Sequence, residues 1–191
     1  AILYLNSDTY KIGKNVKLAS KSYENGDYDD ALEYYEDVLE LDDTKADVYN
    51  SMAQIYLEQG EYDDALSTLK TAAKKCEMSD EDEASFAERK LSAYIGKIDG
   101  YVASGDYTDA YEVLNQGISE GVGTDVLTQK LADTYMLEAD ADLNAGDYDA
   151  ALIVLSQAQD ISKADNAAII EKKVEAYQKK AYILIDAKDY A

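Results

Sequence analysis

The chain has 191 residues, 47% of them hydrophobic, with 18 tyrosines, one phenylalanine, no tryptophan, no proline, no histidine and a formal net charge of −22. That apolar fraction excludes a disordered acidic tail, and the acidic balance excludes DNA or RNA as a partner, because binding phosphates needs clustered Lys and Arg. Without histidine there is no Ser–His or Cys–His pair and no imidazole metal ligand, and the lone Cys76 allows neither an intramolecular disulfide nor a cysteine cage.

Residues 1–9 read as an N-terminal extension. Its "AILYL" at 1–5 is either the tail of a membrane anchor lying upstream or a staple on the first helix. No apolar stretch within the sequence approaches the length needed to span a bilayer. Lys11, Lys14, Lys17 and Lys21 follow as a basic cluster. A proline-free chain rich in Ala, Leu, Glu, Asp and Lys is expected to be helical throughout. The helices are expected at about 9–25, 28–41, 45–59, 62–76, 80–104, 107–119, 125–145, 148–162 and 166–187. Ser79 is expected to cap the fifth, ahead of a first turn rich in acids, and Thr124 to cap the seventh. Cys76 is expected to be a small core residue near a helix end.

One phrase punctuates these helices. "GDYDDAL" at 26–32 returns as "GEYDDAL" at 60–66, "GDYTDAY" at 105–111 and "GDYDAAL" at 146–152, and "KDYA" closes the sequence at 188–191. Each occurrence fits a turn between two helices. Its glycine can take the left-handed conformation that ends the first helix, and its acids suit the start of the second.

The pattern resembles the tetratricopeptide repeat over about residues 10–191. The bulky fourth position is Tyr49, Tyr94, Tyr135 and Tyr177, with Asn15 in its place in the first repeat. The small eighth position is Ala19, Ala53, Ala139 and Ala181, with Ile98 in the third repeat. Tyr28, Tyr62, Tyr107, Tyr148 and Tyr190 stand at position seventeen, and Ala31, Ala65, Ala110 and Ala151 at position twenty. The family's closing proline is missing, and the spacings of 34, 45, 41 and 42 stretch its usual period. The resemblance implies an all-α, right-handed superhelical solenoid of antiparallel helix pairs. It would form a single domain over 10–191, with repeats at about 12–45, 46–79, 80–124, 125–165 and an incomplete one at 166–191.

Local motifs for chemistry fail on inspection. "DADLNAGD" at 140–147 has the alternating acids of a calcium loop, but Ala145 stands where its glycine belongs and Ala151 where its bidentate Glu belongs. "GISEGVG" at 117–123 lacks the lysine of a phosphate loop. No enzyme activity, cofactor or metal is therefore expected.

The resemblance implies a protein-interaction scaffold that binds a peptide or protein segment in a concave groove lined by the first helix of each pair. The residues assigned to that groove are Tyr23, Glu24, Asp47, Asn50, Gln54, Glu58, Asp99, Asp133, Met136, Asp140 and Tyr182. Tyr23 and Tyr182 are its aromatic contact candidates, whereas the tyrosines at positions four and seventeen read as core. The 25 groove positions hold Glu175 and Asp186 as further acids and no Lys or Arg. Leu57, Ile95, Val102, Leu143 and Ile185 supply an apolar floor. A basic or apolar partner segment is thus expected. The alternative is a module that binds glycans or cell-wall polymers through groove tyrosines. Val16, Ser20, Ser51, Ser92 and Gly96 stand where some family members grip a C-terminal carboxylate, so that grip is absent.

The face of the last helix carrying Tyr177, Ala181 and Leu184 lacks its second helix. The chain is therefore expected to continue past Ala191, or to dimerise through the incomplete repeat. Two placements stay open: extracytoplasmic, anchored through a segment upstream as in the similar repeat regions of bacterial membrane-anchored proteins, or cytoplasmic.

Overall fold

The computed structural model describes residues 7–161 and 166–187, and over these the protein is all-α. The helices are α1 (Asp8–Asn25), α2 (Tyr28–Leu41), α3 (Ala46–Gln59), α4 (Tyr62–Lys75), α5 (Asp80–Ser104), α6 (Tyr107–Ser119), α7 (Thr124–Ala145), α8 (Tyr148–Ile161) and α9 (Asn166–Ala187). Among the described residues there is no strand, and no helix is long and apolar enough to cross a membrane. The "AILYL" and "KDYA" segments, with Tyr190, lie outside the described residues.

The recurring phrase makes the turn inside each pair. Gly26, Gly60, Gly105 and Gly146 adopt φ of 81°, 77°, 80° and 82°, a left-handed geometry that costs glycine nothing. Two backbone bonds close each helix end. At the first, the Gly26 N–H donates to the Tyr23 carbonyl and the Asp27 N–H to the Ser22 carbonyl, both at 2.9 Å. Ser79 caps α5 as expected. Its hydroxyl accepts from the Asp82 N–H at 3.2 Å, and Asp82 accepts from the Ser79 N–H at 3.0 Å. Thr124 does not cap α7. Gly123, at φ 46°, takes the boundary, and Thr124 is the first helical residue.

The chain forms two compact units, Ala1–Gly96 and Lys97–Ala191, and α5 runs from the first into the second. In the first unit, Ala19, Ala31, Tyr35, Val38, Val48, Met52 and Ile55 form one buried cluster. A second joins Ala46, Tyr49, Ala53, Leu69, Ala72 and Phe86, with the half-buried Cys76 packed on it at the end of α4. In the second unit, Ala139, Val154, Leu155, Ala158 and Ile169 pack together, as do Leu143, Ala151 and Ala176. The small residues at position twenty (Ala31, Ala65, Ala110, Ala151) and the eighth-position residues Ala19, Ala53, Ile98 and Ala139 are all fully buried, which lets paired helices approach closely. Leu143 belongs to this core and is no part of a groove floor, because α8 and α9 close over it.

The tyrosines follow their positions only in part. Tyr49 and Tyr94 are buried and Tyr135 is half-buried, while Tyr177 is 61% exposed on α9. α9 buries Ile169 and Ala176 and leaves Ile170, Val174, Tyr177 and Leu184 exposed. The latter four recur at the spacing of one helix face. In the earlier pairs the residue equivalent to Tyr177 is buried or half-buried, as Tyr49, Tyr94 and Tyr135.

Candidate functional site

The first unit gathers its candidate residues around one carboxylate. Glu58, in the last turn of α3, accepts from the Tyr23 hydroxyl at 2.5 Å and from Gln54 Nε2 at 2.8 Å on one oxygen. Its other oxygen accepts from the Tyr28 hydroxyl at 2.6 Å. Gln54 precedes Glu58 by one helical turn on α3, while Tyr23 and Tyr28 flank the first glycine turn. The tyrosine rings lie 5.8 Å apart. The three donors hold the Glu58 carboxyl below its ordinary range. The same bond to Glu58, aided by burial, pushes the Tyr23 phenol up to about 12.

Beside this network lies a cavity of about 350 Å³ lined by Tyr23, Tyr35, Ser51, Gln54 and Arg89. Arg89 comes from α5, two turns above Gly96. Its Nη1 donates to Ser85 Oγ at 2.8 Å, and the same oxygen accepts from Asn50 Nδ2 at 2.8 Å. Arg89 Nε and Asn50 Oδ1 are buried without hydrogen-bond partners. Glu24 and Asp47 stand exposed outside the network.

In the second unit the acids expected in the groove are largely neutralised. Asp99 pairs with Lys130 at 2.6 Å, and Asp140 pairs with Lys172. Asp133 is exposed and accepts from Gln129 Nε2 at 2.9 Å. Met136 is half-buried against the Ala139–Val154–Leu155 cluster, and Tyr182 is 73% exposed. Tyr111 donates to Glu138 and stacks at 4.5 Å on Tyr135; burial and that bond push its phenol well above the ordinary range.

Of the N-terminal lysines, Lys11 pairs with Asp8 at 3.8 Å. Lys14, Lys17 and Lys21 line a separate cavity of about 640 Å³ with Leu18, Ser20 and Glu24.

The sequence reading placed Tyr23, Gln54 and Glu58 together, but missed Tyr28, Ser85, Arg89, Lys130 and Lys172. A signal for the three cations was present. Arg89, Lys130 and Lys172 are 41 and 42 residues apart, each five residues before the fourth-position tyrosine of its repeat. They lie on the added N-terminal turns of α5, α7 and α9, outside the positions that a 34-residue repeat defines.

Comparison with known proteins finds the same kind of repeat. A family model described as "Tetratricopeptide repeat" matches residues 22–75, and one described as "Tetratricopeptide repeat protein 21 ARM repeat" matches residues 52–177, more than half the chain. The Protein STIP1 homolog of Dictyostelium discoideum is 26% identical over 112 residues, which are 59% of this chain and 19% of that protein. The Photosystem I assembly protein Ycf3 of Prochlorococcus marinus is 46% identical over 50 residues, which are 25% of this chain and 29% of that protein. The chain thus spans less than a third of the length of these relatives. The crystal structure of a thermophilic TPR protein of Thermus thermophilus aligns over 89% of this chain and 99% of its own at 18% identity, with a TM-score of 0.39. Tetratricopeptide-repeat proteins are in general non-enzymatic protein-interaction scaffolds. With matched models running from residue 22 to residue 177 and the repeat glycines in left-handed turns, the chain belongs to the tetratricopeptide-repeat family.

Proposed function

We propose that the chain is a scaffold that holds a peptide or protein segment against the first helices of its pairs. The observation that carries this reading is the convergence of α1, α3 and α5 on one cavity through Tyr23, Gln54 and Arg89. The cavity offers an aromatic wall and unspent polar groups, the usual makings of a side-chain pocket. The hydrogen bonds from Tyr23, Tyr28 and Gln54 to Glu58 fix that wall in advance, which lowers the ordering cost of binding. The relative named as an assembly protein is consistent with such a role.

The net charge of −22 draws cationic segments toward the protein. Glu24 and Asp47 in the first unit, and Asp133 and Asp186 in the second, are groove acids with neither a lysine nor a tyrosine partner among the described residues. They are the ones to meet basic side chains, with half-buried Leu57, Ile95 and Val102 as apolar contacts. The test is panning of a random peptide library on the chain. Selected peptides should be basic or apolar, should bind more weakly as salt rises, and should lose about tenfold or more in affinity with Tyr23→Ala or Gln54→Ala. Peptides indifferent to both substitutions would place the partner elsewhere. Retention on a glycan array without peptide enrichment would favour the polysaccharide alternative.

A further inference from the structure

Three cations share one register in this chain, and two of them explain the third. Lys130 on α7 reaches Asp99, the ninth position of the preceding first helix, at 2.6 Å. Lys172 on α9 reaches Asp140, the ninth position of the helix before it. Arg89 on α5 stands at the same place in its repeat, and the ninth position before it is Gln54. Arg89 and Gln54 both line the 350 Å³ cavity. The carboxylate is what is missing.

The acid of this repeat has moved one turn along α3. Glu58 takes that role, but both its oxygens are occupied by Tyr23, Tyr28 and Gln54. Gln54 spends its amide donor on Glu58 as well. Arg89, the chain's sole arginine, donates to the Ser85 hydroxyl and forms no ion pair among the described residues. A half-buried guanidinium without a counter-charge is costly, above all when every other cation in its register is paired. Its planar fork fits a carboxylate through two parallel N–H···O bonds.

We propose that the cavity bounded by Tyr23, Tyr35, Ser51, Gln54 and Arg89 receives a carboxylate side chain of the bound segment on Arg89, in the place that Asp99 and Asp140 fill in the later repeats. This deepens the scaffold reading and rests on it. The exposed acids of the first unit, Glu24 and Asp47, draw cations, and this one pocket selects an acid, so the two together set the register of a segment of mixed charge. The tyrosine walls fit the methylene stem of a glutamate better than a free inorganic anion.

A single arginine makes the test direct, because its Nε–H gives one side-chain signal in a ¹H–¹⁵N spectrum. The full chain is titrated with acetyl-Leu-Glu-Leu-amide, with its Gln counterpart, and with inorganic phosphate at matched ionic strength. The Glu peptide should move the arginine signal saturably and bind about tenfold or more tightly than the Gln peptide. Gln54→Glu restores the internal acid, so it should move the signal without ligand and cut affinity for the Glu peptide about tenfold or more; Arg89→Gln should abolish the Glu-over-Gln preference. Equal responses to the Glu and Gln peptides, an equal response to phosphate, or full binding by Gln54→Glu would each overturn the assignment. Library-selected peptides that still bind through Tyr23 in that case would leave the scaffold reading standing and remove only the carboxylate pocket.

Discussion

Gly96 sits inside α5 with the Tyr62 ring laid against it. A Cβ at this position would lie 2.3 Å from Cε1, 2.4 Å from Cζ and 2.8 Å from the hydroxyl oxygen of Tyr62. Carbon atoms settle at about 3.5–4.0 Å, so the ring would have to retreat by more than about 1 Å. Two effects then compete in Gly96→Ala. Replacing a mid-helix glycine gains about 1 kcal/mol of helix stability. Forcing a packed ring aside costs about 1–3 kcal/mol. The control is Gly13→Ala in α1 of the same unit, where a Cβ meets nothing within 4 Å and only the gain applies. Urea unfolding followed by circular dichroism should show Gly13→Ala more stable by about 1 kcal/mol and Gly96→Ala between neutral and about 2 kcal/mol less stable. In a Tyr62→Ala background, the Gly96→Ala penalty should vanish, as a double-mutant cycle would register. Equal stabilisation by the two alanines would mean that the seventeenth-position tyrosine is not wedged against the neighbouring helix, and the packing argument for that position would fail.

Ser79→Ala should cost about 1 kcal/mol and raise amide exchange in the first turn of α5, because it removes the cap. Asp142 should be a stability defect. Burial, then the charges of Glu138 and Asp147, raise its carboxyl above the ordinary range, and one of its oxygens has no partner. A folded value above the unfolded one favours the fold only when the group is protonated, so Asp142→Asn should raise Tm at neutral pH and lose that advantage in acid. Glu58 runs the other way. Its depressed value contributes stability above the ordinary glutamate range that is lost as pH falls through the folded value, so the gap between wild type and Glu58→Gln should close in acid. Spectrophotometric titration should find one tyrosine near 12, absent in Tyr23→Phe.

The helix plan was legible because its punctuation is local. A left-handed residue can be read from one glycine, and the cap of α5 from Ser79 and Asp82. The core alanines were legible for the same reason, as fixed offsets from that glycine. The Glu58 network was only half legible, since Tyr23 and Tyr28 reach it across 35 and 30 residues and nothing local ties them to it. Thr124 was misread because Gly123 supplies a boundary by conformation alone. Counting groove positions gave an acidic surface without cations. It overlooked Lys130 and Lys172 because they stand on helical turns that the shorter repeat does not possess.

Those added turns form a small module of their own. A glycine fixes the C-terminal end of α3, α5 and α7, so α5 at 25 residues and α7 at 22 outgrow the 14 of α3 only at their N-terminal ends, and α9, also of 22 residues, starts as far ahead of Tyr177 as α7 starts ahead of Tyr135. At 1.5 Å per residue the overhang is about 12–16 Å. Each overhang carries a buried anchor, Phe86, Leu127 or Ile169, and three residues later its cation. Anchor and cation point to neighbouring parts of the helix surface, so the charge can change while the apolar peg holds the overhang in place. A repeat lengthened in this way gains a replaceable fitting outside its conserved frame. Exchanging Lys130 for another residue, or an acid for Gln54, would rewrite what the surface selects without reopening the core that Ala53, Ile98 and Ala139 close.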